Sequence, residues 1–233
     1  MKRLLHLAPI LLLSLTVALA ARAQDGAVDL TGMGIYASEE AVKEAARETS
    51  PVRSKAKPIA AGTFRYVPTA ALRQQTVRKT VQHLQGQSPT GAQAFDNAFG
   101  AGKTDYNAVY EGIIKGSGLH NNDAADALAA YILMNWMVVH NVQDGNAITV
   151  PMAQGVRGQV APLLAPKLTA AGAAAQTGEE FKLQTALLFV GWQAAIKGGQ
   201  LSGFRQSVAS RFKTQYHFDL AQLKITDQGL VKR

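Results

Sequence analysis

The sequence contains no cysteine. Disulfides, thiol nucleophiles and thiolate metal sites are therefore excluded, and stability has to come from core packing, which a chain of this length can supply. Aromatic residues make up only 7%, and neither a zinc-finger spacing nor a basic–aromatic RNA-binding motif is present, so nucleic acid is not an expected partner. There is no Gly-x-Ser-x-Gly elbow and no phosphate-cradling Gly-rich loop ending in Lys. Gly116-Ser117-Gly118 follows a helical pattern where an elbow needs a strand, and reads as a helix stop. Acidic residues are missing from two long stretches, Ser50–Phe95 and Phe181–Phe218. The first carries Arg53, Lys55, Lys57, Arg65, Arg73, Arg78 and Lys79, and the second Lys182, Lys197, Arg205, Arg211 and Lys213.

What is present begins with an export signal. Lys2 and Arg3 precede an apolar run, Leu4–Ala20, and Ala21-Arg22-Ala23 places small residues where a signal peptidase needs them. Cleavage after Ala23 is expected, with Ala18-Leu19-Ala20 as a second frame. The run sits at the short limit of the ~17–25 residues that cross a bilayer, and no Cys follows it to carry a lipid anchor. The expected location is periplasmic or secreted, with no transmembrane segment in the mature chain. Loss of residues 1–23 lowers the net charge from +8 to +5. Outside the cytoplasm the available polyanions are lipopolysaccharide, anionic lipid and acidic glycans, which basic faces attract through long-range fields and counterion release. The plain alternative is a basic surface that maintains solubility.

Residues 24–63 read as a flexible, partly disordered arm: Gly-rich at Asp25–Gly34, with a short helix expected over Ser38–Arg47 and a Pro-flanked basic linker over Pro51–Pro58. Phe64, Tyr66 and Val67, alternating with Arg65, suggest a docked extended segment that opens the 64–233 domain. From Pro68 the pattern is helical. Leu72, Val77, Val81 and Leu84 form one stripe, with Gly86 as the expected C-terminal cap. Ser88-Pro89 supplies an N-cap and an N1 proline for a stripe of Ala92, Phe95, Ala98 and Phe99. Tyr106, Val109, Tyr110, Ile113 and Ile114 follow the spacing of a buried helical face. Ala124–Val139 is apolar nearly all round, which predicts a central helix capped by Asn121, Asn122 or Asp123. Met152, Val156, Val160 and Leu163 mark a fifth helix, disturbed at Pro162. Ala170–Thr177 reads as a small-residue loop, and Thr177-Gly178-Glu179-Glu180 as the capping box of a helix reaching Ile196. Leu201, Phe204, Val208 and Phe212 form a last helix, before a tail with a turn at Asp227-Gln228-Gly229. The expected fold is all-α: one bundle-like domain of about six or seven helices.

Tyr66-Val67-Pro68, the run Asn122–Ala127, Asn135-Trp136 and the ending Leu220–Val231 make the chain resemble a family of exported bacterial proteins built on a domain of unknown function. The resemblance covers about residues 64–231. It implies a domain boundary and an all-α fold, and no reaction.

Candidate site residues are few. Asp126, Tyr131, Asn135 and Trp136 lie in the central helix, where buried polar groups need partners. They are the candidates for ligand binding, against the plainer reading that Asp126 faces water, Asn135 ties to a neighbouring helix or the tail, and the aromatic rings are core. His120 with Asp123, and His217-Phe218-Asp219, could each bring groups together. No His-Glu-x-x-His motif is present, and neither set reaches the three ligands that zinc needs, so no metal and no cofactor is expected. Glu111, beside Tyr110 and Ile113, is the acid inside a strong apolar stripe. It is the candidate general acid of a cell-wall glycan hydrolase, for which a second carboxylate is not evident. The leading expectation is an exported, non-enzymatic helical binding protein of the bacterial envelope, whose partner is an anionic envelope polymer, a small ligand or an envelope protein. The alternatives are that hydrolase and a structural accessory subunit docking through the 24–60 arm.

Overall fold

The computed structural model describes residues 63–216 and 219–233. The expected signal peptide and nearly all of the 24–63 arm lie outside the described residues, as does His217-Phe218. Within them the chain forms α1 (Ala70–Gln87), α2 (Pro89–Phe99), α3 (Tyr106–Ile114), α4 (Ala124–His140), α5 (Val150–Leu164), α6 (Ala173–Lys197) and α7 (Leu201–Gln215). A short antiparallel hairpin, β1 (Leu223–Thr226) and β2 (Gly229–Lys232), follows. The fold is the all-α bundle that the periodicities predict.

α4 is the axis of the bundle. Asp123 caps it, its Oδ1 accepting the amides of Ala125 and Asp126 at 3.0 and 3.1 Å. Every residue from Ala124 to Val139 is buried except Trp136, as an all-round apolar helix requires. α5, α6 and α7 pack against it. α6 is the shared wall of two core clusters. Phe181, Leu188 and Trp192 face the large core built on α4. Leu183, Ala186, Leu187 and Val190 close a smaller core with Val77, Leu84, Phe95, Phe99 and Tyr106. Each large side chain buried here contributes about 1.5–3 kcal/mol relative to exposure. No helix among the described residues is long and apolar enough to cross a membrane.

The extended segment before α1 is docked, as the alternation suggests. It pairs with the start of α4: Phe64 O accepts the Ala124 amide (2.9 Å) and the Tyr66 amide donates to Asn122 O (3.0 Å). Phe64 and Tyr66 are buried, but Val67 is 80% exposed and takes no part in the anchor. Ser88 caps α2 as expected, accepting the Gly91 amide at 3.1 Å with Pro89 in the first turn.

Two readings need correction. Gly86 lies inside α1, whose C-cap is Ser88. α6 begins at Ala173, after Gly172 at φ 78°, so Ala173–Thr177 is helix rather than loop. An alanine-rich run has high helical propensity, and here it outweighs the capping-box signature. Thr177 is consequently internal, and Glu180 accepts from Gln176 Nε2 (3.0 Å) instead of reaching back to a cap. α5 keeps Pro162 in its last turn and ends at Leu164, before Pro166. The tail turns at Asp227-Gln228 as expected, and its two flanks pair as the hairpin. Gln159 of α5 stitches it down, donating to Leu230 O (3.0 Å) and accepting the Leu230 amide (2.7 Å). Gly155 lets the turn approach, since a Cβ there would lie 2.5 Å from both Asp227 O and the Gly229 amide nitrogen.

Candidate functional site

The two ends of α4 carry opposite charge. At the N-terminal end Asp126, in the first turn, is fully buried. Its Oδ2 accepts both the backbone amide and the ring Nδ1 of His120, each at 2.8 Å, and its Oδ1 accepts Arg157 Nε from α5. Arg157 Nη2 also reaches Asp123 Oδ2 (3.3 Å), while the guanidinium lies over the Phe64 ring, 5.7 Å from its centroid. Two carboxylates at a helix N-terminus suit its dipole. Arg157 and His120 satisfy what the cap leaves over.

A second buried cluster sits on α6. Lys182 Nζ donates to Glu179 Oε1 at 2.6 Å, with both side chains wholly buried. Three tyrosines surround the pair. Tyr66 donates to Glu179 Oε1 (2.9 Å) and Tyr106 to Oε2 (2.5 Å), while Lys182 Nζ lies 5.7 Å from the Tyr110 ring centroid and 6.0 Å from that of Tyr66. Burial, reinforced by the Glu179 carboxylate, pushes the Tyr66 and Tyr106 phenols far above their usual range, so both remain donors. Burial pulls the Lys182 ammonium down, and Glu179 opposes it. The Tyr110 hydroxyl is buried without a hydrogen-bond partner. Burial, then the charges of Asp126, Asp123 and Glu179, raise it.

The C-terminal end of α4 is ringed by α7 and the tail. Asn135 is fully buried, donating to Tyr131 O (2.7 Å) and accepting Arg211 Nη2 of α7 (3.2 Å). Half-buried Trp136 donates its indole N–H to Leu223 O (3.1 Å) and stacks on His140 at 4.3 Å between centroids. His140 Nε2 meets Leu220 O (2.9 Å), and its Nδ1 meets Arg233 Nη2 (2.9 Å). A guanidinium is always a donor, so that Nδ1 must be an acceptor and the ring is neutral, protonated on Nε2. Burial, with the charges of Arg233 and Arg205, lowers the imidazole below its ordinary range, against the opposing Leu220 carbonyl.

The sequence-predicted residues are therefore dispersed. Asp126 belongs to the N-terminal acid cluster and does not face water. Tyr131 is core, between Phe181 and Phe212 at 5.6 and 6.0 Å. Asn135 and Trp136 share the C-terminal end, Asn135 bonded to a neighbouring helix and Trp136 to the tail. His120 meets Asp126 rather than Asp123. Glu111 is exposed and held by the amides of Asn107 and Asn121, so the apolar pocket expected around it is absent. Glu179 is a fully buried acid, like Asp126, and the helix-start reading of 177–180 concealed it. A signal for it did exist. Tyr106 and Tyr110 fall on one buried stripe, and buried phenols require acceptors. Among the described residues no group of three or more His, Asp or Glu side chains is placed to hold a metal ion.

Comparison of the chain with protein-family models, with curated proteins and with solved structures finds no match.

Proposed function

We propose that this is an exported helical binding protein of the bacterial envelope that holds an anionic polymer on its basic exterior without chemically altering it. The observation that carries this reading is where the charges lie. Residues 63–233 contain sixteen Lys and Arg and ten Asp and Glu. Asp123, Asp126 and Glu179 are buried, whereas Lys182 is the one buried cation among the described residues. The exterior therefore presents about twice as many cations as carboxylates, a stronger bias than composition alone indicates, and such surfaces concentrate polyanions. The signal-type N-terminus supports the compartment. The hydrolase alternative draws no support from Glu111, whose carboxylate is exposed, and the 24–60 docking arm lies outside the described residues.

The test is binding of the exported chain to lipopolysaccharide and to an acidic polysaccharide as salt is raised. Association that weakens steeply with salt is the expected result. Absence of association at low salt would sink the reading.

A further inference from the structure

We propose that the seam between α4 and α7, closed by the C-terminal Arg233, is the anion site itself, and that it takes the phosphate or carboxylate groups of a glycan. This rests on the function proposed above and gives it a place.

Three guanidiniums converge on this end of α4, and each is satisfied only by neutral acceptors. Arg205 donates through Nε and Nη2 to Val139 O (3.3 and 2.8 Å), Arg211 through Nη2 to Asn135 Oδ1 (3.2 Å), and Arg233 through Nη2 to His140 Nδ1 (2.9 Å). Arg73, Arg157, Lys182 and Lys213 have carboxylate partners; these three arginines, like Arg65 and Arg78, have none among the described residues. A guanidinium has five N–H donors, so most of this donor capacity is unspent, and Arg211 Nε is buried with no partner at all.

The anchors set the order. Asn135 and Val139 lie about one helical turn apart on α4, so Arg211 and Arg205 are anchored at successive turns along the seam. His140, next in line, orients Arg233 while staying neutral, so it adds no further positive charge. Arg205 has a structural explanation, because a cation at a helix C-terminus satisfies the last carbonyls and the dipole, and the dipole also favours Arg233 beside His140. Arg211, anchored further inside α4, has no explanation of that kind. Gathering like charges without a counter-charge is unfavourable in the absence of an anion, and paired N–H groups of arginine match phosphate and carboxylate oxygens.

A glycan suits this place better than a bilayer. Trp136, held flat against His140 and pinned through its N–H, offers a rigid half-buried aromatic wall beside the cations. Membrane-surface binding needs apolar side chains to insert. The exposed large hydrophobic residues among those described are Val67 and Val150, and neither lies in the seam.

The experiment measures affinity of the exported chain for detergent-dispersed lipopolysaccharide, polygalacturonate, neutral dextran and phosphatidylglycerol vesicles. The variants are Arg211→Gln/Arg233→Gln in the seam and Arg78→Gln/Lys79→Gln on exposed α1. The seam variant is expected to bind the anionic glycans at least about tenfold more weakly, as loss of one charge-assisted bond predicts. The α1 variant should stay within about twofold, and dextran should not bind. Loss of binding in the α1 variant with the seam variant unchanged would overturn the seam and leave the proposed function standing. Binding to vesicles but to neither anionic glycan would overturn the glycan. No binding by the unmodified chain to any anion would remove both the seam and the proposed function. Should the double variant melt early, Arg233→Gln alone decides, since among the described residues the one side-chain hydrogen bond of Arg233 is to His140. An unchanged affinity there overturns the seam.

Discussion

The ring of Tyr66 fills the space that a side chain on Gly178 would need: a Cβ at 178 would lie 2.7 Å from both the Tyr66 hydroxyl oxygen and its Cζ. Glycine in mid-helix costs about 0.5–1 kcal/mol relative to alanine. Here it lets a phenol from the N-terminal segment reach the Glu179 carboxylate. Gly178→Ala should therefore destabilise, by about 1–3 kcal/mol through overpacking, although alanine is the better helix former. Chemical denaturation measures this. A gain in stability would show that Tyr66 is not fixed there. Tyr66→Phe should cost about 1–3 kcal/mol through the lost bond to a charged acceptor.

The Glu179–Lys182 pair gives a sharper test. Removing one partner strands a buried charge and costs about 3–5 kcal/mol, whereas removing both leaves no stranded charge. Lys182→Met should thus destabilise strongly. Glu179→Gln/Lys182→Met should cost less than the sum of the two single changes, because Gln keeps an acceptor for the tyrosines. A double-mutant cycle reads the coupling, and simple additivity would refute the pairing.

Gln159 acts on the hairpin as an extra strand would, meeting both backbone groups of Leu230. Gln159→Ala leaves them without these partners. Loss of about 1–3 kcal/mol is expected. Hydrogen exchange should accelerate at the Leu230 amide while the α4 amides stay protected.

His140 sets a pH dependence whose sign follows from its environment. Its folded value is lowered from 6.5, so the fold prefers the neutral ring. Its contribution to stability is therefore complete above 6.5 and is lost as pH falls through the folded value, where protonation breaks the Nδ1 bond to Arg233. Titration of the ring by NMR should show a midpoint below 6.5. The midpoint should move upward in Arg233→Gln, which removes one of the lowering charges.

Much of this architecture was legible from periodicity. The α2 stripe of Ala92, Phe95, Ala98 and Phe99 is buried residue for residue, and the all-round apolar run of α4 is the bundle axis. The all-α class followed from these. What was not legible came from contacts distant in sequence. Glu179 looks like the third residue of a capping box because local pattern cannot report that Tyr66, far earlier in the chain, will donate to it. Asp126 looks solvated because Arg157 arrives from another helix. Of the candidate residues, Asn135 and Trp136 fall beside the arginines, but the arginines themselves come from α7 and from Arg233, which follows β2. Only the packing of α7 and the tail against α4 brings them together.

The hairpin bears on the order of events during synthesis. Leu220, Leu223, Ile225 and Leu230 are buried members of the core built on α4. A ribosome that has completed α1 to α7 has therefore not yet supplied the pieces that close that core. Until residue 230 emerges, apolar surface on α4 and α5 stays uncovered, so closure of this domain comes after its last helix has been made.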